Sequence, residues 1–203
     1  MYALWGKAWL DRGVALLVLA LAAPVFALLA LAVLLALGRP ILFRQRRAGR
    51  QGVPFTMLKF RSMREGGAPD AARLGAFGRW LRATGLDELP QMINILRGEM
   101  SLVGPRPLPC DYTPLLGMTE AKRLWVRPGL LGLAQAKGRN ALPWSQRFDY
   151  DVKYTTQKIE ITTDCKIALA CCVLLLRGQG ARTPGHATSS DLRETINQNA
   201  IQG

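Results

Sequence analysis

The sequence is poor in the side chains that many enzymes use for metal binding and nucleophilic catalysis. Of its 203 residues, one is a histidine, His186, and four are cysteines, with no Cys-x-x-Cys spacing. A single histidine argues against a zinc site or a Ser-His-Asp triad. Three cysteines lie in the apolar stretch "CKIALACCVLLL", which is typical of small buried thiols in a reducing compartment. Any catalysis must therefore use carboxylates, lysine, arginine or a bound cation.

Acidic residues are scarce as well, and their absence is uneven. The chain has 27 Lys and Arg against 14 Asp and Glu, a net charge of +13, and no acidic residue lies between Asp11 and Glu65. Such an excess implies a polyanionic partner: nucleic acid, an anionic membrane surface or phosphorylated substrates. The basic residues of this acid-free interval follow an apolar run, a position that attracts anionic lipid headgroups. They are Arg39, Arg44, Arg46, Arg47, Arg50, Lys59, Arg61 and Arg64.

The apolar run is an uncharged segment of mostly Ala, Leu and Val from Gly13 to Gly38, interrupted by Pro24. At about 1.5 Å per residue, a helix of this length could cross a bilayer once with a tilt. Pro24, however, donates no backbone N–H and crowds the carbonyl of Ala20, four residues earlier. Basic residues flank the segment on both sides and favour the cytoplasm. The residues alone leave three alternatives open: a re-entrant hairpin broken at Pro24, a kinked span, and a buried helix of a soluble protein.

From residue 39 onward the composition is that of a mixed α/β domain. The stretches "ILFRQRR" and "PFTMLKFRSM" predict short strands because their polarity alternates. The stretches "AFGRWLRAT", "LDELPQMINILRG" and "WSQRFDYDVKYTTQ" predict helices. "TTDCKIALACCVLLLRG" predicts a helix with a good N-terminal cap that lies along a membrane interface. We therefore expect a membrane segment in residues 1–38, a folded domain in 39–186 and a polar tail in 187–203.

The adjacent acids Asp87 and Glu88 stand at the start of the helix predicted for "LDELPQMINILRG". Alone they are explained by helix capping and by favourable interaction with the helix dipole. The basic residues elsewhere in the sequence favour a catalytic site over capping, since they recur in short extended or Gly/Pro-rich stretches. Carboxylates beside fixed cations are typical of a site for a phosphorylated substrate and a divalent metal. The candidate phosphate-binding residues are Lys59, Arg82, Arg106 and Arg127.

Arg106 is the most constrained of these cations, because Pro105 and Pro107 stiffen the chain on both sides of it. Its guanidinium therefore loses little entropy on binding a phosphate bidentately, although a rigid surface loop explains the pattern too. Weaker candidates for substrate or nucleotide binding follow further along the chain, where a basic turn and a solvated helix face are equally good explanations. They are Gln135, Arg139, Asn140 and Asp151.

Five motifs in this order resemble the bacterial monotopic phosphoglycosyl transferases, bacterial sugar transferases that start glycoconjugate assembly on a polyprenol carrier. The motifs are "RQRRAG", "PFTMLKFRSM", "LDELPQMINILRGEMSLVGPRPL", "VRPGLLGLAQAKGRN" and "FDYDVKY". They follow a hydrophobic segment with a central proline, and the likeness runs from about residue 9 to residue 186. At this length the chain resembles the small single-domain members of the family.

The resemblance implies that a UDP-sugar and polyprenol phosphate, usually undecaprenol phosphate, become polyprenol diphosphate-sugar and UMP. Asp87 matches the family nucleophile, which attacks the β-phosphorus and carries the phosphosugar before the lipid phosphate displaces it, a ping-pong scheme. Mg²⁺ is the implied cofactor, with Asp87 and Glu88 as its expected ligands. Glu88 would assist either through the metal or by orienting the second phosphate. Lys59, Arg82 and Arg106 match family positions near the phosphates, and Asp151 matches a functionally important acid.

The resemblance also implies a membrane topology and a fold class. Both ends of the hairpin would lie on the cytoplasmic face of the bacterial inner membrane, with anionic lipids as partners. The expected fold is α/β, rich in helix with short irregular strands, carried by the re-entrant helix-break-helix hairpin and interfacial amphipathic helices. The family breaks this helix at a Ser-Pro pair, whereas here Ala23 precedes Pro24. Since Ala23 has no hydroxyl to bond a carbonyl one turn back, the angle of the bend is open.

Other functions and several details are not decided by the sequence. The alternatives are a membrane-anchored nucleic-acid-binding protein and a non-catalytic scaffold. Nucleic-acid binding favours aromatics interleaved with basic residues, but the arginine block at 39–50 has one aromatic, Phe43, so we expect no nucleic-acid partner. The smallest family members favour an N-acetylated hexose, with sugar contacts expected in the tail stretch "GHATSSDLRE". A homodimer is compatible with the sequence, which establishes none.

Overall fold

In the computed structural model, short helices surround two small sheets; the structure describes residues 2, 6–67, 69–138, 141–177 and 192. The strands are β1 (Leu42–Ala48), β2 (Pro54–Phe60), β3 (Ser101–Val103) and β4 (Gly129–Leu131). The helices are α1 (Lys7–Leu21), α2 (Ala23–Leu37), α3 (Asp70–Arg73), α4 (Ala76–Thr84), α5 (Gln91–Leu96), α6 (Leu133–Lys137), α7 (Trp144–Thr156) and α8 (Ile161–Leu176). Short 3₁₀ segments lie at Arg50–Gly52, Leu86–Glu88, Cys110–Leu115 and Glu120–Trp125.

The two sheets have two strands each and differ in direction. β1 and β2 form an antiparallel hairpin, with Leu42 opposite Phe60 and Ala48 opposite Pro54. β3 and β4 pair in parallel over Ser101–Val103 and Gly129–Leu131. The strands predicted from "ILFRQRR" and "PFTMLKFRSM" are thus confirmed. So is the helix-rich α/β class with short strands.

The apolar N-terminal segment folds as two helices, α1 and α2, with a bend of 67° between them. The bend lies at Ala22, and Pro24 is the second residue of α2, where its missing N–H costs no intrahelical hydrogen bond. Among the described residues, no single helix has the length and hydropathy needed to cross a membrane, whereas this bent pair has them together. A membrane hairpin remains a prediction.

Helix α1 begins earlier than the uncharged segment, at Lys7 rather than Gly13. The extra turns are held by polar contacts with the domain. The ammonium of Lys7 lies 2.6 Å from the carboxylate of Asp164, and the Ser101 hydroxyl donates to the Asp11 carboxylate over 2.6 Å. Asp11 is 5% exposed. The first turns of α1 are therefore part of the folded domain.

One face of α1 and α2 packs on the domain, and the opposite face is bare. Ala15 belongs to a buried cluster with Met57 of β2 and Ile95 of α5. Val33 belongs to a second cluster with Leu81 of α4. Large apolar side chains cover the other face: Trp9, Leu16, Leu17, Leu21, Leu28, Leu31 and Leu35 are all more than half exposed. Contiguous apolar surface of this kind marks a membrane or protein contact.

Two predicted helices differ in the structure. "LDELPQMINILRG" is not one helix, since Asp87 and Glu88 lie in a 3₁₀ turn and α5 begins only at Gln91, after Pro90. The expected N-terminal cap of α8 is also wrong. That helix starts at Ile161, and Asp164 lies inside it, where it accepts hydrogen bonds from the domain instead of capping. The helices predicted for "AFGRWLRAT" and "WSQRFDYDVKYTTQ" are confirmed as α4 and α7.

Candidate active site

A wide cavity of about 1690 Å³ is bounded by the β1–β2 hairpin, α4, the Leu86–Glu88 turn, the loop after β3, and α7. Among its described lining residues, eleven are Arg or Lys and five are Asp or Glu. A cleft with this excess of positive charge concentrates anionic ligands. The basic lining residues are Arg39, Arg44, Arg47, Lys59, Arg61, Arg73, Arg79, Arg82, Arg106, Arg123 and Arg147.

The acidic turn is positioned by the end of α4. Gly85 has a φ of +71°, the left-handed conformation that ends a helix and favours glycine. Its N–H donates to the carbonyl of Arg82 over 3.2 Å, and the chain then tightens into the 3₁₀ turn that holds Asp87 and Glu88. The tight turn, rather than a helix N-terminus, is what presents the two carboxylates to the cavity.

Glu88 is bound by two cations. The Lys59 ammonium donates to Oε1 of Glu88 over 2.7 Å, and Arg106 contacts both carboxylate oxygens with its two terminal nitrogens. Burial alone would raise the pKa of Glu88, but the charges of Arg106 and Lys59 outweigh it and hold this pKa well below its usual range. Glu88 is therefore a fixed anion that keeps both cations in place.

Asp87 has a different environment, although it is the next residue. It is 7% exposed, and within the described ranges its carboxylate takes part in no hydrogen bond or ion pair. Burial, followed by repulsion from the Glu88 carboxylate, raises the pKa of Asp87 to about 6. Lys59, Arg82 and Arg106 act against this rise. A desolvated carboxylate without a bound cation has the environment of a nucleophile or general base.

Lys59 reaches Glu88 because β2 is fixed against α5. The buried side-chain amide of Asn94 accepts from the N–H of Leu58 over 3.0 Å and donates to the carbonyl of Thr56 over 2.8 Å. It also donates to Glu99 over 2.6 Å. Asn94 thus joins the strand that carries Lys59 to the helix that follows the acidic turn.

Arg82, in the last turn of α4, projects into the cavity from the other side. Its Nε donates to the Ser62 hydroxyl over 2.9 Å, which leaves its terminal nitrogens available to a ligand. The contact between α4 and the end of β2 is close: a Cβ on Gly78 would lie 1.8 Å from the Ser62 carbonyl oxygen. Burial lowers the pKa of Arg82, and the charge of Asp87 acts against that.

The loop that carries Arg106 is held by two other arginines. Arg123 donates to the Arg106 carbonyl over 2.7 Å, and Arg47 donates to the Pro107 carbonyl over 3.1 Å. Arg123 is 4% exposed and forms a buried ion pair with Asp151, whose Oδ2 lies 2.6 Å from its terminal nitrogen. Asp151 therefore acts on the cavity through Arg123, which in turn fixes the backbone at Arg106.

The predicted residues divide into three groups. The cavity brings together Asp87, Glu88, Lys59, Arg82, Arg106, Gln135 and Asp151. Arg127 is not among the lining residues, and Ala23 and Pro24 lie in the helix bend. Arg139 and Asn140 lie outside the described residues, as does the tail stretch "GHATSSDLRE" apart from Leu192.

Sequence reasoning did not single out Arg123, Asn94 and Arg147, and counted Arg47 as part of the lipid-facing block. The one sequence feature that could have indicated Asn94 is its position as a single polar residue within the apolar stretch "MINIL". Arg61 was assigned to the same block, but it is 6% exposed and donates to the Gly38 carbonyl over 2.6 Å at the end of α2. A cation at a helix C-terminus stabilises that helix. Arg61 is therefore no headgroup contact.

The donor set fits a magnesium ion only in part. No group of three or more His, Cys, Asp or Glu side chains within the described ranges is arranged to hold a metal. Asp87 is free of cations, whereas both oxygens of Glu88 are engaged. Mg²⁺ is commonly bound by one or two carboxylates together with substrate phosphates. The site therefore fits a metal bound jointly by Asp87 and a diphosphate, with Glu88 as a weaker expected ligand.

The profile of the family described as bacterial sugar transferase matches residues 2–178. This chain belongs to the bacterial sugar transferase family. Its membership confirms the resemblance inferred from the motifs, and with it the prediction that the protein is a transferase.

Named relatives agree with this assignment. "Uncharacterized sugar transferase EpsL" of Bacillus subtilis (strain 168) is 41% identical over 161 residues, 76% of this chain and 79% of that protein. "UDP-glucose:undecaprenyl-phosphate glucose-1-phosphate transferase" of Caulobacter vibrioides is 43% identical over 192 residues, 86% of this chain and 71% of that protein. The Escherichia coli (strain K12) protein of the same name is 37% identical over 161 residues, 71% of this chain and 34% of that protein.

The two buried acids predict opposite effects on stability. Burial raises the pKa of both Asp87 and Asp151, but only Asp151 has a cation at hydrogen-bonding distance. Asp87→Asn should raise the free energy of unfolding at pH 8 by roughly 1–3 kcal/mol, since it removes a carboxylate that is ionised at a raised pKa. At pH 4 most of the gain should be lost, because Asp87 is then protonated in the folded state and about half protonated in the unfolded state.

Asp151→Asn should instead lower the free energy of unfolding at pH 8 by about 3–5 kcal/mol, because it leaves the Arg123 guanidinium buried without its partner. Denaturant unfolding of the detergent-purified variants at pH 8 and pH 4 measures both effects. A loss of stability in Asp87→Asn at pH 8 would contradict the assignment of Asp87 as the carboxylate without a cation.

Proposed function

We propose that this protein transfers a sugar 1-phosphate from a UDP-sugar to polyprenol phosphate, giving polyprenyl-diphosphate sugar and UMP. The observation that carries the proposal is the contrast between the environments of the adjacent acids Asp87 and Glu88. Glu88 is bound by Lys59 and Arg106, while the adjacent Asp87 carboxylate has no cation and faces a large basic cavity. Membership of the sugar transferase family and the names of the relatives support it.

The first half of the reaction uses Asp87 as the nucleophile. A carboxylate oxygen of Asp87 attacks the β-phosphorus of the UDP-sugar. A bond forms between this oxygen and phosphorus as the bond from the same phosphorus to the bridging oxygen of UMP breaks. UMP leaves with the electron pair, and a phosphosugar stays on the carboxylate as an acyl phosphate. No proton transfer is needed when Asp87 is ionised, which its pKa of about 6 allows at neutral pH.

The second half returns the enzyme to its starting state. An oxygen of the polyprenol phosphate attacks the phosphorus of the acyl phosphate, the bond to Asp87 breaks, and a diphosphate linkage forms. Two substrates that react in turn with one carboxylate produce ping-pong kinetics. The basic residues that line the cavity give the diphosphate of the UDP-sugar and the phosphate of the lipid a common binding site.

The cations have distinct parts in this scheme. Lys59 and Arg106, held by Glu88, stand beside the developing charge on the transferring phosphoryl group. Arg82 lines the same cavity from α4 and binds Ser62 through Nε. Mg²⁺, when bound by Asp87 and the diphosphate, would offset the repulsion between two anions. Arg127 lies away from the cavity lining, and its contribution to phosphate binding stays a prediction.

The membrane placement belongs to the same proposal. The bare apolar face of α1 and α2 would lie in the cytoplasmic leaflet as a re-entrant hairpin, with anionic lipids around it. Both ends of the pair connect to the domain: Lys7 pairs with Asp164, and Arg61 holds the carbonyl of Gly38. A helix pair with both ends fixed to one domain favours a hairpin over a span. This placement brings a lipid phosphate and a water-soluble nucleotide sugar to one site.

The donor sugar is the least specified part. The relatives from Caulobacter vibrioides and Escherichia coli are named as glucose-1-phosphate transferases, and these names give no support to the N-acetylated hexose expected from the smallest family members. We propose a UDP-hexose as the donor class. The nucleic-acid and scaffold alternatives have no observation in their favour beyond net charge.

Removal of the Asp87 carboxylate tests the covalent step. Asp87→Asn should reduce UMP release from a UDP-sugar by at least about 10³-fold, since an amide cannot form the acyl phosphate. Asp149→Asn, on the exposed face of α7, should leave the rate unchanged. Incubation of wild type with UDP-sugar and no lipid should add one phosphosugar to the peptide that contains Asp87, as measured by mass spectrometry. Wild-type rates in Asp87→Asn would refute the mechanism.

The pH dependence of the first step measures the pKa of Asp87 and its coupling to Glu88. Because Asp87 attacks when ionised, kcat/KM for the UDP-sugar should fall as the pH drops through about 6. Glu88→Gln removes the neighbouring negative charge and frees Lys59 and Arg106, and both changes lower the pKa of Asp87. The acid limb should therefore move down by about one pH unit or more. Asp149→Asn, on the exposed face of α7, should leave the limb in place; an unmoved limb in Glu88→Gln would contradict the coupling.

Topology is tested by cysteine labelling. In a variant with the four native cysteines replaced by serine, Gly6→Cys reports the start of α1 and Glu65→Cys reports the domain. Neither should react with a membrane-impermeant maleimide in intact spheroplasts, and both should react after permeabilisation. Labelling of Gly6→Cys alone in intact spheroplasts would show that the segment crosses the bilayer and would exclude the hairpin.

A further inference from the structure

A second, smaller cavity of about 140 Å³ lies behind the acidic turn. Its walls are mostly apolar and come from three directions. Leu89 and Met92 belong to the turn and α5, Leu131 to β4, and Cys171 and Leu175 to α8. Its volume is close to that of an engineered cavity of about 150 Å³ that stays dry and binds benzene. A cavity of this kind suits a small hydrocarbon group rather than a sugar or a nucleotide.

The small cavity is continuous with the wall of the large one. Gly85, Glu88 and Gln135 line both. A hydrocarbon group seated in the small cavity would therefore place a phosphate attached to it next to the acidic turn. The polar side chains of Glu88 and Gln135 line both cavities, whereas the apolar side chains of Leu131, Cys171 and Leu175 line the small cavity and not the large one.

The outer wall of this cavity belongs to a helix that is apolar on both sides. Cys171 and Leu175 of α8 face the cavity, while Leu169 of the same helix is 67% exposed. The start of α8 is joined to the start of α1 by the ion pair between Lys7 and Asp164. Helix α8 alone thus separates the small cavity from the exposed apolar surface around Leu169, which would contact lipid.

We propose that this cavity binds the isoprene unit next to the phosphate of the acceptor lipid. The inference rests on the proposed function, which requires a prenyl phosphate to bring its phosphorus-bound oxygens to Asp87. One five-carbon isoprene unit matches the volume of the cavity, and the remaining units stay with the apolar surface. The cavity selects the branched prenyl chain at the point of attachment, whereas the basic residues of the large cavity bind the phosphate.

A blocked cavity is the first test. Leu175→Trp should raise the KM for undecaprenyl phosphate by roughly tenfold or more, by filling the space for the isoprene unit. It should leave unchanged the single-turnover release of UMP from UDP-sugar without lipid. Leu175→Met conserves the volume of the side chain and should keep the wild-type KM.

Protection of Cys171 is the second test, and it needs no catalysis. In a variant with Cys110, Cys165 and Cys172 replaced by serine, a small methanethiosulfonate should modify Cys171 at least about tenfold more slowly with saturating undecaprenyl phosphate. Phosphatidate, which has straight acyl chains, and inorganic phosphate should give no protection. Protection by phosphatidate as well would show a general lipid site and overturn the prenyl assignment.

The two tests separate the failure of this inference from that of the function. Wild type that releases no UMP refutes the proposed function, and protection of Cys171 then still decides whether the cavity binds the lipid. Wild type that turns over, with an unchanged acceptor KM in Leu175→Trp and no protection of Cys171, refutes the cavity assignment and leaves the function intact.

Discussion

The ion pairs of Glu88 with Lys59 and Arg106 are the interaction on which the rest of the site depends. Three elements that are distant in the sequence meet there: strand β2, the turn after α4, and the loop after β3. Because Glu88 neutralises these cations in part, they can lie close together in a half-buried place without a bound substrate. The adjacent Asp87 is left without a cation, and its raised pKa follows from burial and from the Glu88 charge.

The support around this centre is built mainly from hydrogen bonds to backbone. Arg123 and Arg47 bind the carbonyls of Arg106 and Pro107, and Asn94 binds both backbone groups of β2 near Lys59. Polar side chains that bind main-chain atoms fix the geometry of a loop through its backbone. A phosphate site made of long, flexible arginines needs this kind of support, since the free side chains would lose much entropy on binding.

The second constraint is the joint between the apolar helices and the domain. Lys7 and Asp11 would be costly to bury alone, but Asp164 and Ser101 satisfy them within the domain. At the other end Arg61 binds the last carbonyls of α2. These contacts fix the bare apolar face of α1 and α2 at one side of the domain, and so set its position relative to the basic cavity.

The sequence by itself determined the chemistry available: an acidic pair, a scarcity of histidine, arginines beside prolines, and an apolar segment with a proline. These local patterns predicted most helices and strands, and they singled out five side chains that the structure brings together in one cavity: Lys59, Arg82, Asp87, Glu88 and Arg106. The ordered motifs indicated the family. Only the tertiary structure decided that Glu88 holds the cations, that Asp151 acts through Arg123, that Arg61 caps a helix, and that Arg127 lies outside the cavity. The reason is physical: each of these roles is a contact between residues 18 to 29 positions apart, or the absence of such a contact. Periodicity and composition describe neighbours along the chain, whereas burial and pairing with distant groups set the charge and position of a side chain.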